Sequence, residues 1–460
     1  MPKDNEQQSS ADMMPSNSRD IGLHLGRYVA DLDARTIDAR TQETVLRCVL
    51  DAIASAASAL EQPGVKAAQQ AAQTMYGAGS SPMWFTGRTA TDAGALFANS
   101  AASAALDLDD GYRKARGHPG AATIPAALAL VHTRPDIAVQ DFMAAVVAGY
   151  EVGIRMAMAR PGYAPSGTWS GFAVVATCGR MLGASAEIIA QALAIAAQTA
   201  PALPALAGLV GSDVKEGIAA GAVSGWAALE LAMAGYAGPA AVLKDGRLFD
   251  SDTALRDLGG QPLINGTYFK PFGCCRHIHA PLDALLHLQR LHGLAARDIK
   301  RMEVHTYRAT FNLTNKPDPE TLVEAQYSVP YCLALCALHG ADALLPLDTR
   351  RLYDAEVSDL AKRITVVHDV AIESLFPARS PAWVAVTLSN GQLLESPLTD
   401  PRGDPHHPLS WGDLERKLQV ATRATLSPAS QQGVLEGMAG LRAGAWNPLL
   451  LALSAPARTP

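Results

Sequence analysis

Apolar residues recur at helical spacing through the first half of the chain. Val45, Leu46, Val49, Leu50, Ile53 and Leu60 return every three or four positions, which marks one face of an amphipathic helix. Segments 121–131, 139–158, 171–182 and 217–234 read the same way, the last carrying Trp226 and Leu229. After about Leu263 the period changes to two. Met302, Val304 and Thr306 alternate with polar neighbours, and Ile364, Val366 and Val367 form a second β-like stretch. Segment 383–388 is followed by Asn390-Gly391 and then Gln392-Leu393-Leu394; Asn-Gly tolerates the positive φ of a tight turn, so a hairpin is predicted there. A helix is predicted over 325–338, between these strands. From about Asp404 helical spacing returns with Trp411, Leu414, Leu418 and Val420.

This order predicts a mainly α fold with an inserted α+β domain. A large all-helical domain is expected from 21–266 and 404–460, and a smaller α+β lid domain from 267–403. Residues 1–20 are polar and lack the basic-then-apolar order of a signal peptide, so they read as a disordered tail. A cleft between two domains is a common place for a small-molecule site.

Composition narrows the classes. The chain has 460 residues, 48% hydrophobic, 18% charged and 6% aromatic. A chain of this length favours two cores over one, and its many small residues predict close helix packing. A net charge of −6 with no basic stripe argues against a nucleic-acid partner. The longest uncharged run, 188–212, is interrupted by Gln191, Gln198, Thr199, Pro201 and Pro204. It reads as two buried helical pieces meeting at the prolines, not as a membrane span. Six scattered cysteines without an export signal predict reduced thiols and a cytoplasmic protein. No Gly-rich phosphate loop or Gly-x-Ser-x-Gly elbow stands out.

Polar residues are concentrated in a few places. In segment 106–120, Asp107, Asp109 and Asp110 precede Gly111, Tyr112, Arg113, Lys114 and Arg116, then Gly117-His118-Pro119. Carboxylates beside a histidine can tune a general base or orient a substrate; an acidic helix end and a solvated loop is the plainer alternative. Segment 270–279 holds Lys270, Cys275, Arg276, His277 and His279, a cation-rich set suited to carboxylates. Cys275, His277 and His279 also invite a metal reading, but zinc ligands usually come as two separated pairs and no second pair is evident, so no metal is expected. Lys215 stands almost alone among small residues, either to hold an anion or to pair with Asp213 or Glu216 at a helix start. Tyr331, in Ser328-Val329-Pro330-Tyr331, would on its own be read as a core tyrosine.

Taken in order, these segments resemble the MmgE/PrpD family, which includes 2-methylcitrate dehydratase, cis-aconitate decarboxylase and iminodisuccinate epimerase. The resemblance runs over roughly 21–440. It is carried by Leu106-Asp107-Leu108-Asp109-Asp110 with Gly117-His118-Pro119, by Gly149-Tyr150-Glu151-Val152 with Arg155, and by Val214-Lys215-Glu216-Gly217 with 234–239. Lys270-Pro271-Phe272, Cys274-Cys275-Arg276-His277, Ser328-Val329-Pro330-Tyr331 and Pro408-Leu409-Ser410-Trp411 complete it. It implies a homodimer, a site between two domains, and catalysis without metal or organic cofactor. It implies a lyase acting on a small carboxylate, most simply a dehydratase, by proton abstraction next to a carboxylate and elimination. Epimerisation or other isomerisation, decarboxylation, and a non-catalytic family member are the alternatives.

By position, the resemblance places catalytic roles on Asp107, His118, Lys215, Tyr331 and His277. Lys270, Cys275, Arg276, His279, Asp110, Gly111 and Tyr112 would bind substrate. Several positions depart from the family pattern: Gly111 stands where threonine is common, and Met158, Ile218 and Cys275 stand where histidine occurs. The region around Trp169 lacks the family's His-Pro pair. These departures predict a substrate with less charge or more apolar surface than cis-aconitate or 2-methylcitrate.

Overall fold

The computed structural model describes residues 20–201 and 212–457. The expected tail lies outside these residues except for Asp20, whose carboxylate accepts the Leu23 N–H and caps the first helix. Residues 202–211 of the 188–212 run, Pro204 among them, also lie outside the described residues.

The helical pattern resolves into α1 (Ile21–Asp31), α2 (Ala39–Ser58), α3 (Pro63–Tyr76), α4 (Asp92–Ala104), α5 (Gly120–Thr133), α6 (Val139–Met158), α7 (Gly167–Met181), α8 (Ala186–Thr199) and α9 (Ile218–Met233). Short α10 (Ser251–Leu255) follows, then α11 (His279–His292), α12 (Leu322–Gln326), α13 (Val329–His339), α14 (Ala355–Ala361) and α15 (Val370–Glu373). The chain closes with α16 (Trp411–Ala421), α17 (Pro428–Arg442) and α18 (Asn447–Ser454). Strands are short: β1 (Ser81–Met83), β2 (Arg88–Ala90), β3 (Gly111–Tyr112), β4 (Thr267–Tyr268), β5 (Ile299–Thr306), β6 (Ile364–His368), β7 (Trp383–Leu388) and β8 (Leu393–Glu395). The fold is mainly α with a smaller α+β part, as the periodicity predicts.

Two hydrophobic cores divide the molecule. The first draws on both ends of the chain, from Ile21 on α1 to Leu453 on α18. Its helices approach closely because glycine faces small residues: a Cβ at Gly149 on α6 would lie 2.0 Å from the Thr177 hydroxyl on α7. The second core runs from Phe272 to Leu394 and packs α11 and α13 on a four-stranded sheet ordered β6-β5-β7-β8. In that sheet β5 pairs parallel with β6 and antiparallel with β7, and β7 pairs antiparallel with β8. The β7–β8 connection is the Asn390-Gly391 hairpin, with Gly391 at φ +89°.

The structure corrects the single helix predicted over 325–338. The chain breaks at Tyr327, and α13 starts afresh at Ser328, whose side chain accepts the Tyr331 N–H. Pro330 sits in the first turn of the new helix, where its missing N–H costs nothing. The break changes which tyrosine faces outward, with consequences for the site.

Candidate active site

The two-stranded ladder β3–β4 builds the site. It pairs Gly111 with Tyr268 and Tyr112 with Thr267, and so brings the loop after α4 beside the segment that carries Lys270. Asp107, in that loop, adopts φ +54°, in the left-handed region that a non-glycine residue rarely occupies. Its carboxylate is buried and meets two ammonium groups, Lys215 Nζ at 2.7 Å and Lys270 Nζ at 3.0 Å. Lys270 also donates to the Asp107 carbonyl at 3.0 Å. Burial opposes the charge on Asp107, but Lys215, Lys270 and then His118 outweigh it and hold its carboxyl well below the usual range. The same exchange runs the other way at Lys215: burial disfavours its charge, and Asp107 above all raises it well above an ordinary lysine.

Lys215 and Glu216 are aimed by a tight turn. Glu216 (φ +51°) and Gly217 (φ +70°) are consecutive left-handed residues, and the Glu216 carbonyl accepts the Gly167 N–H at the start of α7. A Cβ at Gly167 would stand 2.4 Å from the Gly217 backbone, so only glycine fits there. The Glu216 carboxylate takes the Ser166 N–H at 3.0 Å and its hydroxyl at 2.6 Å. Burial would raise the Glu216 carboxyl, but His118, Lys215 and those Ser166 bonds lower it.

His118 precedes α5. Its Nδ1 lies 2.7 Å from the Asp110 carbonyl, and its Nε2 lies 3.8 Å from Asp107 Oδ1 and 3.9 Å from Glu216 Oε1. A carbonyl oxygen only accepts, so in the neutral ring Nδ1 carries the proton and Nε2 is bare. Asp110 acts from behind: its side chain accepts the Gly120 N–H at 2.9 Å and meets the Tyr150 hydroxyl at 2.5 Å. Burial, then the charge of Asp51, pushes the Asp110 carboxyl up to about 7.

A cavity of about 310 Å³ opens over these groups. Asp107, His118, Lys215's neighbour Glu216, Lys270, Cys275, Arg276 and His277 line it, and the Lys215 ammonium reaches it through the Tyr327 hydroxyl at 2.8 Å. Asp107, Asp109, Asp110 and His118 are all buried, which rules out a solvated loop. Lys215 pairs with Asp107, not with Asp213. Burial, then the Asp107 charge, pushes the Cys275 thiol up to about 12, a range in which it stays protonated.

Six of the expected residues stand away from the cavity wall, Lys215 being joined to it through Asp107 and Tyr327. Tyr331 points into the second core with its hydroxyl buried and unbonded. Tyr327, exposed to the cavity by the helix break, stands there instead. His279 is buried, with Nε2 3.1 Å from the Cys274 carbonyl and Nδ1 3.1 Å from Arg276. Asp110 lies behind His118. Gly111 supports the ring of Tyr268, and the ring of Tyr112 packs on Gly266. Cys275, His277 and His279 therefore do not converge on one point. Among the described residues, one group could bring three ligand atoms within 4.8 Å of each other: Asp107, Asp109 and His118. The two ammonium groups on Asp107 already place positive charge there, which opposes a divalent cation.

Arg113, from the cationic stretch after Asp110, also lines the wall, and residues that the sequence reading did not single out complete it: Glu216, Tyr327, Tyr307, Phe376 and Ser380. Arg113 and Arg276 share the Asp404 carboxylate, Arg276 Nη2 at 2.6 Å, and Arg113 Nη1 donates to the Ser380 hydroxyl at 2.6 Å. The left-handed Glu216-Gly217 turn left a trace in the sequence as Lys-Glu-Gly before a helix. Tyr307 and Phe376, stacked at 4.3 Å, come from distant loops and left none.

Comparison with known proteins places the chain in a family. The MmgE/PrpD N-terminal domain model matches residues 23–253, and the MmgE/PrpD C-terminal domain model matches 272–440. The chain belongs to the MmgE/PrpD family. A curated relative, cis-aconitate decarboxylase of Aspergillus terreus (strain NIH 2624 / FGSC A1156), is 23% identical over 423 residues, covering 83% of this chain and 85% of its own. The MmgE/PrpD family thus includes enzymes, a carboxy-lyase among them. Among the described residues, no helix is long and apolar enough to cross a membrane.

Proposed function

We propose that the protein is a cofactor-independent lyase that removes a proton next to the carboxylate of a small acid and eliminates water. The observation that carries this reading is the bare Nε2 of His118, fixed by the Asp110 carbonyl and placed beside two lysine ammonium groups.

The steps follow from these positions. His118 Nε2 takes the proton from carbon. The imidazolium that forms is stabilised by Asp107 and Glu216, both within 4 Å of Nε2. Negative charge moves onto the substrate carboxylate, and Lys215 and Lys270, oriented by Asp107, offset it. The Tyr327 hydroxyl accepts from Lys215, so its own proton is free for the departing hydroxyl as the carbon–oxygen bond breaks. Burial raises Tyr327 well above an ordinary phenol, which keeps that proton in place until the leaving group draws it off. The His118 proton then returns to the Tyr327 oxygen through solvent.

The activity of the fungal relative favours decarboxylation as a second reading. The same lysines would then hold the carboxylates while carbon dioxide leaves, and an acid would protonate the carbanion. The proposal also includes a homodimer in the cytoplasm, which analytical ultracentrifugation and cell fractionation test.

The deciding experiment incubates the purified protein with hydroxy-, unsaturated and imino-carboxylates in deuterated water. Loss of water supports dehydration, loss of carbon dioxide supports the second reading, and inversion with deuterium uptake supports an epimerase. Neither exchange nor turnover across the panel would leave a binding protein and sink the proposal.

A further inference from the structure

A second histidine, His277, faces the same cavity. His277 Nδ1 lies 2.6 Å from the Tyr307 hydroxyl. Tyr307 is buried, and the Ser380 and Thr310 hydroxyls stand beside its own hydroxyl. Ser380 in turn accepts from Arg113 Nη1 at 2.6 Å. The guanidinium has no acceptor, so the chain begins with an obligate donor. Among the described residues, His277 Nε2 has no hydrogen-bond partner, and His277 lines the cavity.

We propose that Tyr307, with Ser380 and Arg113 behind it, donates to Nδ1 and so locks His277 as the Nε2–H tautomer, which presents a neutral, fixed hydrogen-bond donor to a substrate oxygen. The chemistry at each link agrees. A phenol is a better donor than an imidazole N–H, and a pyridine-type nitrogen is a better acceptor than a phenol oxygen. Ser380 accepts from Arg113, which leaves its own proton to give to the Tyr307 oxygen, and the Tyr307 proton is then directed to Nδ1. Burial, then the charge of Arg113, lowers His277 to about 4, so the ring is neutral near pH 7. The two histidines are thereby set oppositely. His118 presents a lone pair because the Asp110 carbonyl accepts its Nδ1–H; His277 presents a proton because Tyr307 donates to its Nδ1 lone pair.

The inference deepens the function proposed above and rests on it only for the statement that a substrate oxygen lies in this cavity. It makes Arg113, Ser380 and Tyr307 positioning residues, and His277 a selector for an oxygen acceptor on the substrate. A neutral imidazole is a poor proton donor, so His277 orients and polarises while the proton transfers fall to His118 and Tyr327.

The test reads the tautomer directly and needs no substrate. The full chain is labelled with ¹⁵N-histidine, the His277 signals are assigned by their loss in His277→Gln, and long-range ¹H–¹⁵N spectra are recorded near pH 7. The expected pattern is pyrrole-type at Nε2 and pyridine-type at Nδ1. Tyr307→Phe should shift both nitrogens toward a mixture of tautomers. Ser380→Ala, a smaller change, should do so in part and covers the case in which Tyr307→Phe does not fold. A pyrrole-type Nδ1 in the wild-type chain would overturn the proposal. So would an unchanged His277 pattern in a folded Tyr307→Phe variant. A locked Nε2–H tautomer in a protein that turns over no carboxylate would refute the lyase reading alone.

Discussion

A Cβ at Gly111 would stand 2.3 Å from the phenolic oxygen of Tyr268, its partner across the β3–β4 ladder. The Tyr268 ring therefore occupies the space that a side chain at 111 would fill, and the Arg276 guanidinium lies 4.7 Å from its centroid. The Tyr268 ring, seated on Gly111, forms part of the cavity wall.

Gly111→Ala should accordingly displace the ring and destabilise the protein by about 1–3 kcal/mol, the usual cost of overpacking. Tyr268→Ala placed in the same chain should recover part of that loss, with a coupling of about 0.5 kcal/mol or more. Chemical denaturation of the two single variants and the double variant measures it. Strict additivity would show that the two residues do not compete for space.

The helix break at Ser328 gives a contrast between two tyrosines four residues apart. Tyr327→Phe removes the hydroxyl that Lys215 holds and should lower turnover by roughly 10²–10⁴-fold, the range for loss of a general acid. Tyr331→Phe removes a buried hydroxyl without a partner. It should leave turnover unchanged and raise stability by something on the order of 1 kcal/mol. Initial rates on whichever panel carboxylate reacts, with thermal melts of both variants, decide the matter. The reverse pattern would return the catalytic role to Tyr331.

The architecture was legible because it rests on long periodic segments. Helix α6 follows the predicted 139–158 to the residue, and the Asn390-Gly391 turn announced its hairpin. The ladder β3–β4 has two residues per strand, too few for any alternation to register, yet it is what joins the Asp107 loop to Lys270. Asp107, His118, Lys215 and Lys270 stood out as polar residues in apolar surroundings, and they do converge. Glu216 was visible only as a possible partner for Lys215. Tyr327 was hidden inside a stretch that reads as continuous helix until the Ser328 cap and Pro330 are weighed together. Arg113, Ser380 and Tyr307 meet only through the tertiary fold, and no local spacing links positions so far apart.

Asp107→Asn tests the centre of the charge cluster. The substitution keeps the size of the side chain but leaves Lys215 and Lys270 buried without their counter-charge. Breaking a buried pair in this way typically costs about 3–5 kcal/mol. The pH dependence has a definite sign. The folded-state pKa of Asp107 lies below its unfolded value, so its contribution is present above about pH 4 and is lost as pH falls toward the folded value. Urea midpoints should therefore fall more steeply below pH 4 for the wild-type chain than for Asp107→Asn. Equal slopes would mean that the lysines draw their compensation from elsewhere.

Asp110 gives the opposite sign. Its carboxyl is raised to about 7, so the folded protein holds this proton more tightly than the unfolded chain does. Its stabilising contribution is complete below about pH 4 and is lost as pH rises through about 7. Asparagine is a neutral isostere: its oxygen can accept the Gly120 N–H, and its amide can donate to the Tyr150 oxygen. Asp110→Asn should therefore match the wild type near pH 4 and exceed it at pH 8, by something on the order of 1–4 kcal/mol. The backbone carbonyl that orients His118 is untouched by the change, so turnover at pH 6 should survive. Urea unfolding of both proteins between pH 4 and pH 8 measures the divergence. Parallel curves would mean that Asp110 ionises in the folded protein at an ordinary pH, and that its bonds to Gly120 and Tyr150 are made by a carboxylate throughout.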